Sequence, residues 1–162
     1  MYKNGENSNL IGFSNSDYAG DIDDRKSTSG VVVWSSKKQQ IVTLSTIEAE
    51  FVAAASSSCE IIWMRRLLET LHNQQQGPIV IYCDNVSAIK LSKDPILHRR
   101  SKHIDVRFHF LRDLYKDGVI DLVFCMSEDQ LTNLLTKPLK PVVFMKLRSM
   151  LVICSSKEAE VV

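Results

Sequence analysis

The sequence predicts an α/β domain in which helices flank a five-stranded mixed sheet. Three short apolar or β-branched runs, at residues 10–16, 30–34 and 40–44, follow one another closely and predict an antiparallel meander. Two later runs, 79–83 and 119–126, are separated by predicted helices, which is typical of parallel strands. With 162 residues, 44% of them hydrophobic and 24% charged, the chain has the size and composition of one globular domain.

Helix signals fill the spaces between these runs. Ser45, with Glu48 three residues later, forms a capping box that starts a long amphipathic helix. Further helices are predicted at residues 85–91, 101–115 and 142–152. A second capping box, formed by Ser127 and Gln130, predicts another helix after the fifth strand. We assign residues 10–153 to the domain, 1–9 to an N-terminal lead and 154–162 to a C-terminal tail.

Four acidic residues fall at the edges of predicted elements, namely Asp17, Glu50, Asp84 and Asp129. Glu48 already has a structural role as the cap partner, so Glu50 is the acid of this helix that is free to bind metal. Carboxylates gathered on an α/β scaffold suit magnesium, and a magnesium pair suits phosphodiester hydrolysis. For Asp129 considered alone, stabilisation of a helix N-terminus is the favoured explanation.

Charge and cysteine content narrow the class of protein. The net charge is +1, but residues 90–112 hold seven Lys or Arg and two acids, whereas the rest of the chain holds 13 basic and 17 acidic residues. Such a basic segment suggests a polyanionic partner, with a solvated helix face as the alternative. The four cysteines lack metal-site spacing and are interpreted as reduced thiols of a cytosolic protein. No stretch is long and apolar enough to insert into a membrane.

Five segments follow one another along the chain: GFSNSDYAGDIDDRKSTSG, WSSKKQQIVTLSTIEAEF, IYCDNVSAI, RSKHIDVRFHFLR and SEDQLTNLLTKPL, which together span most of residues 10–151. In this order they resemble the ribonuclease H domain of copia-type LTR retrotransposons. The resemblance implies a ribonuclease H-like fold and cleavage of RNA in an RNA–DNA hybrid. It also implies two Mg²⁺ ions, with Mn²⁺ as a substitute, held by four carboxylates, of which Glu50, Asp84 and Asp129 match three.

The chain departs from the family pattern at two places. The first metal-binding acid of the family's S-D-x-D motif is matched here by Asn15, whose amide can still coordinate a metal but carries no charge. Asp17 lies two residues on, on the same side of the strand, and is a candidate substitute. The second departure is a shortened hairpin between strands two and three, for which we predict a turn at residues 35–39 with Lys37 and Lys38 at its tip.

These features predict a metal-dependent ribonuclease that acts on an RNA–DNA hybrid or on double-stranded RNA. Because the chain begins at its own methionine, we expect a detached, host-adopted copy in the cytoplasm or nucleus, where double-stranded RNA would point to antiviral defence. A catalytically impaired duplex-binding protein and an inert remnant are the alternatives. The residues predicted to hold the duplex are Lys37, Lys38, Arg99, Arg100, Lys102 and His103.

Overall fold

The computed structural model describes residues 10–31, 35–93 and 105–151, and it confirms the five-stranded mixed sheet. The strand order is β3-β2-β1-β4-β5, with β1, β4 and β5 parallel and β2 antiparallel to both of its neighbours. The strands are β1 Ile11–Asp17, β2 Thr28–Val31, β3 Ser35–Lys38, β4 Ile79–Cys83 and β5 Ile120–Phe124.

Five helices flank the sheet in the described part of the chain. They are α1 Thr46–Thr70, α2 Val86–Lys93, α3 Asp105–Lys116, α4 Asn133–Thr136 and α5 Pro141–Met150. The predicted cap of α1 is confirmed, because Ser45 Oγ accepts a hydrogen bond from the Glu48 amide at 3.2 Å. Glu48 in turn accepts one from the Leu44 amide at 2.5 Å. No helix of the described residues is long and apolar enough to cross a bilayer.

The sheet separates two hydrophobic clusters, because successive side chains of a strand point to opposite faces. The larger cluster includes Phe51 of α1, Ile81 of β4 and Leu111 of α3. The smaller one joins Phe13 of β1 to Leu147 of α5, with α4 contributing to the same face. The strands β1 and β4 are interior strands of the sheet, and because they are parallel, their C-terminal ends lie at the same edge.

The predicted third strand was wrong. Residues 40–44 lie outside the sheet, and the segment predicted as a turn forms β3, which pairs with β2 from Val31↔Ser35 to Thr28↔Lys38. Among the described strands, β3 pairs with β2 alone, so its polar residues Ser-Ser-Lys-Lys are compatible with solvent on the other side. Gln39 then anchors the segment to α1 by donating to the Ala49 carbonyl at 2.9 Å.

The second capping box was also wrong. Residues 127–129 form a turn and α4 begins only at Asn133, so Asp129 does not lie in a first helical turn. The side chains of Ser127 and Gln130, which predicted the cap, form hydrogen bonds with other residues. Ser127 Oγ donates to Asp84 at 2.7 Å, and Gln130 Nε2 donates to the Ser14 carbonyl at 2.8 Å.

Gly30 allows α4 to lie directly against β2. A Cβ at this position would come within 2.8 Å of Thr136 Cγ2 and 3.2 Å of the Thr132 carbonyl oxygen. Because Gly30 pairs with Asn15 across the β1–β2 ladder, the close approach also brings α4 over Asn15. Because Gly30 has no side chain, the residues of α4 can lie close to Asn15 near the C-terminal end of β1.

Candidate metal centre

Glu50 and Asp84 are brought together where β1 and β4 end. Glu50 projects from α1, and Asp84 follows the last residue of β4, Cys83. One ligand atom of each of these three residues lies within 4.8 Å of the others. In open α/β sheets this is the edge at which ligands bind, since the C-terminal ends of adjacent parallel strands leave a crevice there.

Burial and a neighbouring carboxylate raise the pKa of Glu50 to about 8. Desolvation is the largest cause and the charge of Asp84 the second, while the amide of Ser16 and the ammonium of Lys137 oppose the rise. Glu50 is only 7% exposed; its Oε1 accepts from the Ser16 amide at 3.1 Å. Its Oε2 is buried without a hydrogen-bond partner among the described residues. A buried, unpartnered carboxylate oxygen beside a second carboxylate favours an incoming cation.

Cys83 shares this cluster but is a poor ligand for a hard cation. Burial raises the pKa of its thiol to about 12, and Sγ contacts the Asn85 carbonyl oxygen at 3.9 Å. A thiol that stays protonated at neutral pH brings no charge, and magnesium prefers oxygen ligands. Of this cluster, the Glu50 and Asp84 carboxylates are therefore the groups that could hold a hard cation.

Asn15 is fully buried at the end of β1, and its amide is fully hydrogen-bonded. Its Oδ1 accepts from the Ser16 amide at 2.7 Å and from Lys137 Nζ at 3.2 Å. Its Nδ2 donates to Asn133 Oδ1 and to Thr136 Oγ1. Each of these bonds matches the donor or acceptor that an amide offers, so the surroundings suit asparagine rather than aspartate.

Asn133 is the site residue that the sequence analysis missed. It is 3% exposed, lies beside Asn15 and donates from Nδ2 to the Ser127 carbonyl at 2.6 Å. Ser127 Oγ bonds to Asp84, so one chain of contacts links both carboxylates through Ser16, Asn15, Asn133 and Ser127. Because Asn133 carries no charge, Asp129 is the residue of the SEDQLTNLLTKPL segment that a pattern of acidic ligands predicts.

Asp17 and Asp129 lie outside the cluster of Glu50, Cys83 and Asp84. The Asp17 carboxylate accepts from the Thr28 amide and fills the space beside Gly20, so it closes the β1–β2 connection. Asp129 forms an ion pair with Lys146 of α5, with Oδ1 and Nζ 2.7 Å apart. Both remain predictions as ligands, but the geometry gives each of them a different local partner.

We expect Asp17→Ala to lower stability more than it lowers metal binding. Loss of the carboxylate leaves the Thr28 amide without its acceptor, which should cost about 1 kcal/mol in the free energy of unfolding. Affinity for Mn²⁺ should stay close to wild type, measured by calorimetric titration alongside the exposed control Asp23→Ala. A loss of Mn²⁺ affinity as large as that of Glu50→Ala would instead make Asp17 a ligand.

The predicted duplex-binding residues are only partly described. Lys38 lies in β3, not at a hairpin tip, and its Nζ pairs with Asp21 at 2.6 Å and Asp24 at 3.0 Å. Lys37 lines a groove between β3, α1 and α3 together with Glu60 and Arg107. The remaining four predicted residues lie outside the described part of the chain: Arg99, Arg100, Lys102 and His103.

The amino-acid sequence is similar to those of transposon-encoded proteins. The chain is 43% identical over 88% of its length to the Retrovirus-related Pol polyprotein from transposon RE2 of Arabidopsis thaliana. It is 41% identical over 91% of its length to the corresponding RE1 polyprotein of Arabidopsis thaliana, and 41% identical over 79% to that of transposon TNT 1-94 of Nicotiana tabacum.

The chain is similar to one segment of retrotransposon Pol polyproteins. It spans about a tenth of the length of these relatives, 10% or 11% of each. No family model matches the chain. The similarity supports a retrotransposon-derived segment. The mixed sheet is consistent with a ribonuclease H-like α/β fold.

Proposed function

We propose that this chain is a divalent-metal-dependent ribonuclease that cleaves RNA in A-form-like duplexes, either RNA–DNA hybrids or double-stranded RNA. The observation that carries the proposal is the pair formed by Glu50 and Asp84 at the ends of β1 and β4, with Glu50 Oε2 buried and unpartnered. The similarity to Pol polyproteins supports a nuclease of this kind. We further propose a cytoplasmic or nuclear location and a role in defence against viral double-stranded RNA.

Among the described residues, two carboxylates would bind the cation and two neighbouring residues orient these carboxylates. Glu50 and Asp84 would hold the cation, which when bound supplies positive charge for the phosphate and lowers the pKa of coordinated water. The Ser16 amide fixes the Glu50 carboxylate, and the Ser127 hydroxyl fixes that of Asp84. These bonds orient both acids before a substrate arrives, which reduces the cost of reorganisation during the reaction.

Duplex binding is assigned to the basic segment at residues 90–112. Its excess of five positive charges adjoins the site in sequence, between the strand that leads to Asp84 and β5. Phosphate contacts give affinity that falls with salt and carries little sequence information. A hybrid and double-stranded RNA share a wide, shallow minor groove lined by 2′-hydroxyls, which distinguishes them from B-form DNA.

The test is a cleavage and binding assay on four matched substrates: hybrid, double-stranded RNA, double-stranded DNA and single-stranded RNA. We expect Mg²⁺- or Mn²⁺-dependent cleavage of the RNA strand in at least one of the first two and none of the DNA duplex.

Replacing Arg99, Arg100 and Lys102 by Glu should raise KM more than it lowers kcat. The control replaces Lys3, Lys116 and Lys157, three basic residues outside this segment, by Glu. Equal effects of both triple variants, or equal affinity for DNA and RNA duplexes, would contradict the proposal.

A second candidate function is binding of the same duplexes without turnover. It is favoured by Asn15 and Asn133, whose amides fill one side of the site and add no negative charge. Tight, salt-dependent duplex binding with no cleavage in Mg²⁺ or Mn²⁺ would support this function over the first.

A further inference from the structure

Lys137 places a positive charge inside the candidate metal centre. It follows α4, is partly buried, and its Nζ donates to Asn15 Oδ1 at 3.2 Å. Its charge also acts on Glu50 and lowers the pKa of that carboxyl, whereas burial and Asp84 raise it. Asn15 thus carries an ammonium on its acceptor oxygen, the atom through which an amide would bind a cation.

The amides of Asn15 and Asn133 close the same side of the site. Asn133 Oδ1 accepts from Asn15, and its Nδ2 is committed to the Ser127 carbonyl. Both side-chain oxygens are therefore occupied by protein donors. The two carboxylates and the ammonium leave a single net negative charge, and the Asp17 carboxylate, whose charge also acts on Glu50, brings it to two, whereas a pair of divalent cations brings four positive charges. The residues fit one hard cation at Glu50 and Asp84 and do not fit two.

We propose that this chain binds one divalent cation, at Glu50 and Asp84. The Lys137 ammonium, held by Asn15, occupies the ligand position that a second cation would need. The ammonium would supply a fixed positive charge for the phosphate of a bound duplex, and this charge needs no metal. The inference rests on the proposed function for the phosphate, but the number of bound cations is independent of any cleavage.

The first test counts bound Mn²⁺ by electron paramagnetic resonance titration of the folded chain without nucleic acid. We expect one Mn²⁺ per wild-type chain, none with Asp84→Asn, and two with the double variant Asn15→Asp/Asn133→Asp. The control Asn9→Asp/Asn73→Asp adds the same charge elsewhere and should still bind one. Two ions, or none, on the wild-type chain would overturn the inference. One bound ion without any cleavage would leave it intact and reject the nuclease function.

The second test uses Lys137→Met and does not depend on the folding of the double-aspartate variant. Removing the ammonium should tighten Mn²⁺ binding by about 10-fold, because a charge beside the site no longer repels the cation. In EDTA it should lower the slope of log affinity for the duplex against log salt by about 0.9, the share of one phosphate contact. Lys140→Met, three residues further on, is the control and should change neither. An unchanged Mn²⁺ affinity or an unchanged salt slope in Lys137→Met would overturn the role of Lys137.

Discussion

Asp84→Asn should abolish metal-dependent cleavage while the fold is retained. The substitution removes one of the two carboxylates that lie within 4.8 Å of each other, but an amide oxygen can still accept the hydrogen bond from Ser127. We expect kcat/KM to fall by more than the roughly 10–100-fold that loss of an outer-sphere partner costs. Cleavage of a labelled hybrid and thermal unfolding of the same preparation check the two parts of the prediction.

Asp129→Asn is the matched control for this variant. It makes the same chemical change in a carboxylate whose partner is Lys146, in an exposed ion pair that should contribute about 0–1 kcal/mol to stability. Activity should remain close to that of the wild type. If Asp129→Asn lowered cleavage activity as much as Asp84→Asn, Asp129 would also be needed for the reaction. The assignment of the metal centre to Glu50 and Asp84 would then fail.

Glu50→Gln should stabilise the protein at alkaline pH in the absence of metal. The pKa of Glu50 rises from 4.5 to about 8 on folding, so the folded chain binds more protons than the unfolded chain between these values. Stability from this group is fully present below about pH 4.5 and is lost as the pH rises to about 8, by an amount on the order of a few kcal/mol. The glutamine keeps the acceptor for Ser16 and has no proton to lose.

The measurement is urea unfolding of wild type and Glu50→Gln at several pH values between 5 and 9. The difference in unfolding free energy should grow with pH, whereas the exposed control Glu69→Gln should show no such trend. Mg²⁺ should restore wild-type stability at pH 8, because a bound cation favours the ionised carboxylate, and it should not affect Glu50→Gln. Parallel pH profiles for wild type and Glu50→Gln would refute the raised pKa.

The sequence predicted the elements whose local signals agree with their packing. The capping box at Ser45 and the continuous apolar run of β4 were predicted correctly, because one is a local hydrogen bond and the other a buried strand. The sequence pattern was misleading for β3. Its residues Ser-Ser-Lys-Lys have no apolar pattern, and the strand is defined by its pairing with β2. At Ser127 the capping pattern was present, but a tertiary bond to Asp84 took the hydroxyl.

The candidate site was predictable for its acids and not for its amides. Glu50 and Asp84 could be found because acids at the ends of elements suggest ligands, and the structure brings them together. Asn133 carries no charge and no local pattern, and its proximity to Asn15 depends on α4 packing against β2 at Gly30. Whether a given residue joins the site is decided by contacts between segments more than 100 residues apart, which a local pattern does not contain.

The location of the bound cation tests the central claim most directly. Crystals grown with Mn²⁺ should give one anomalous scattering peak, coordinated by oxygens of Glu50 and Asp84, with the Lys137 ammonium still bonded to Asn15. Two peaks about 4 Å apart, as in two-metal nucleases, or a single peak bound by Asp17 or Asp129 without Glu50, would contradict the account.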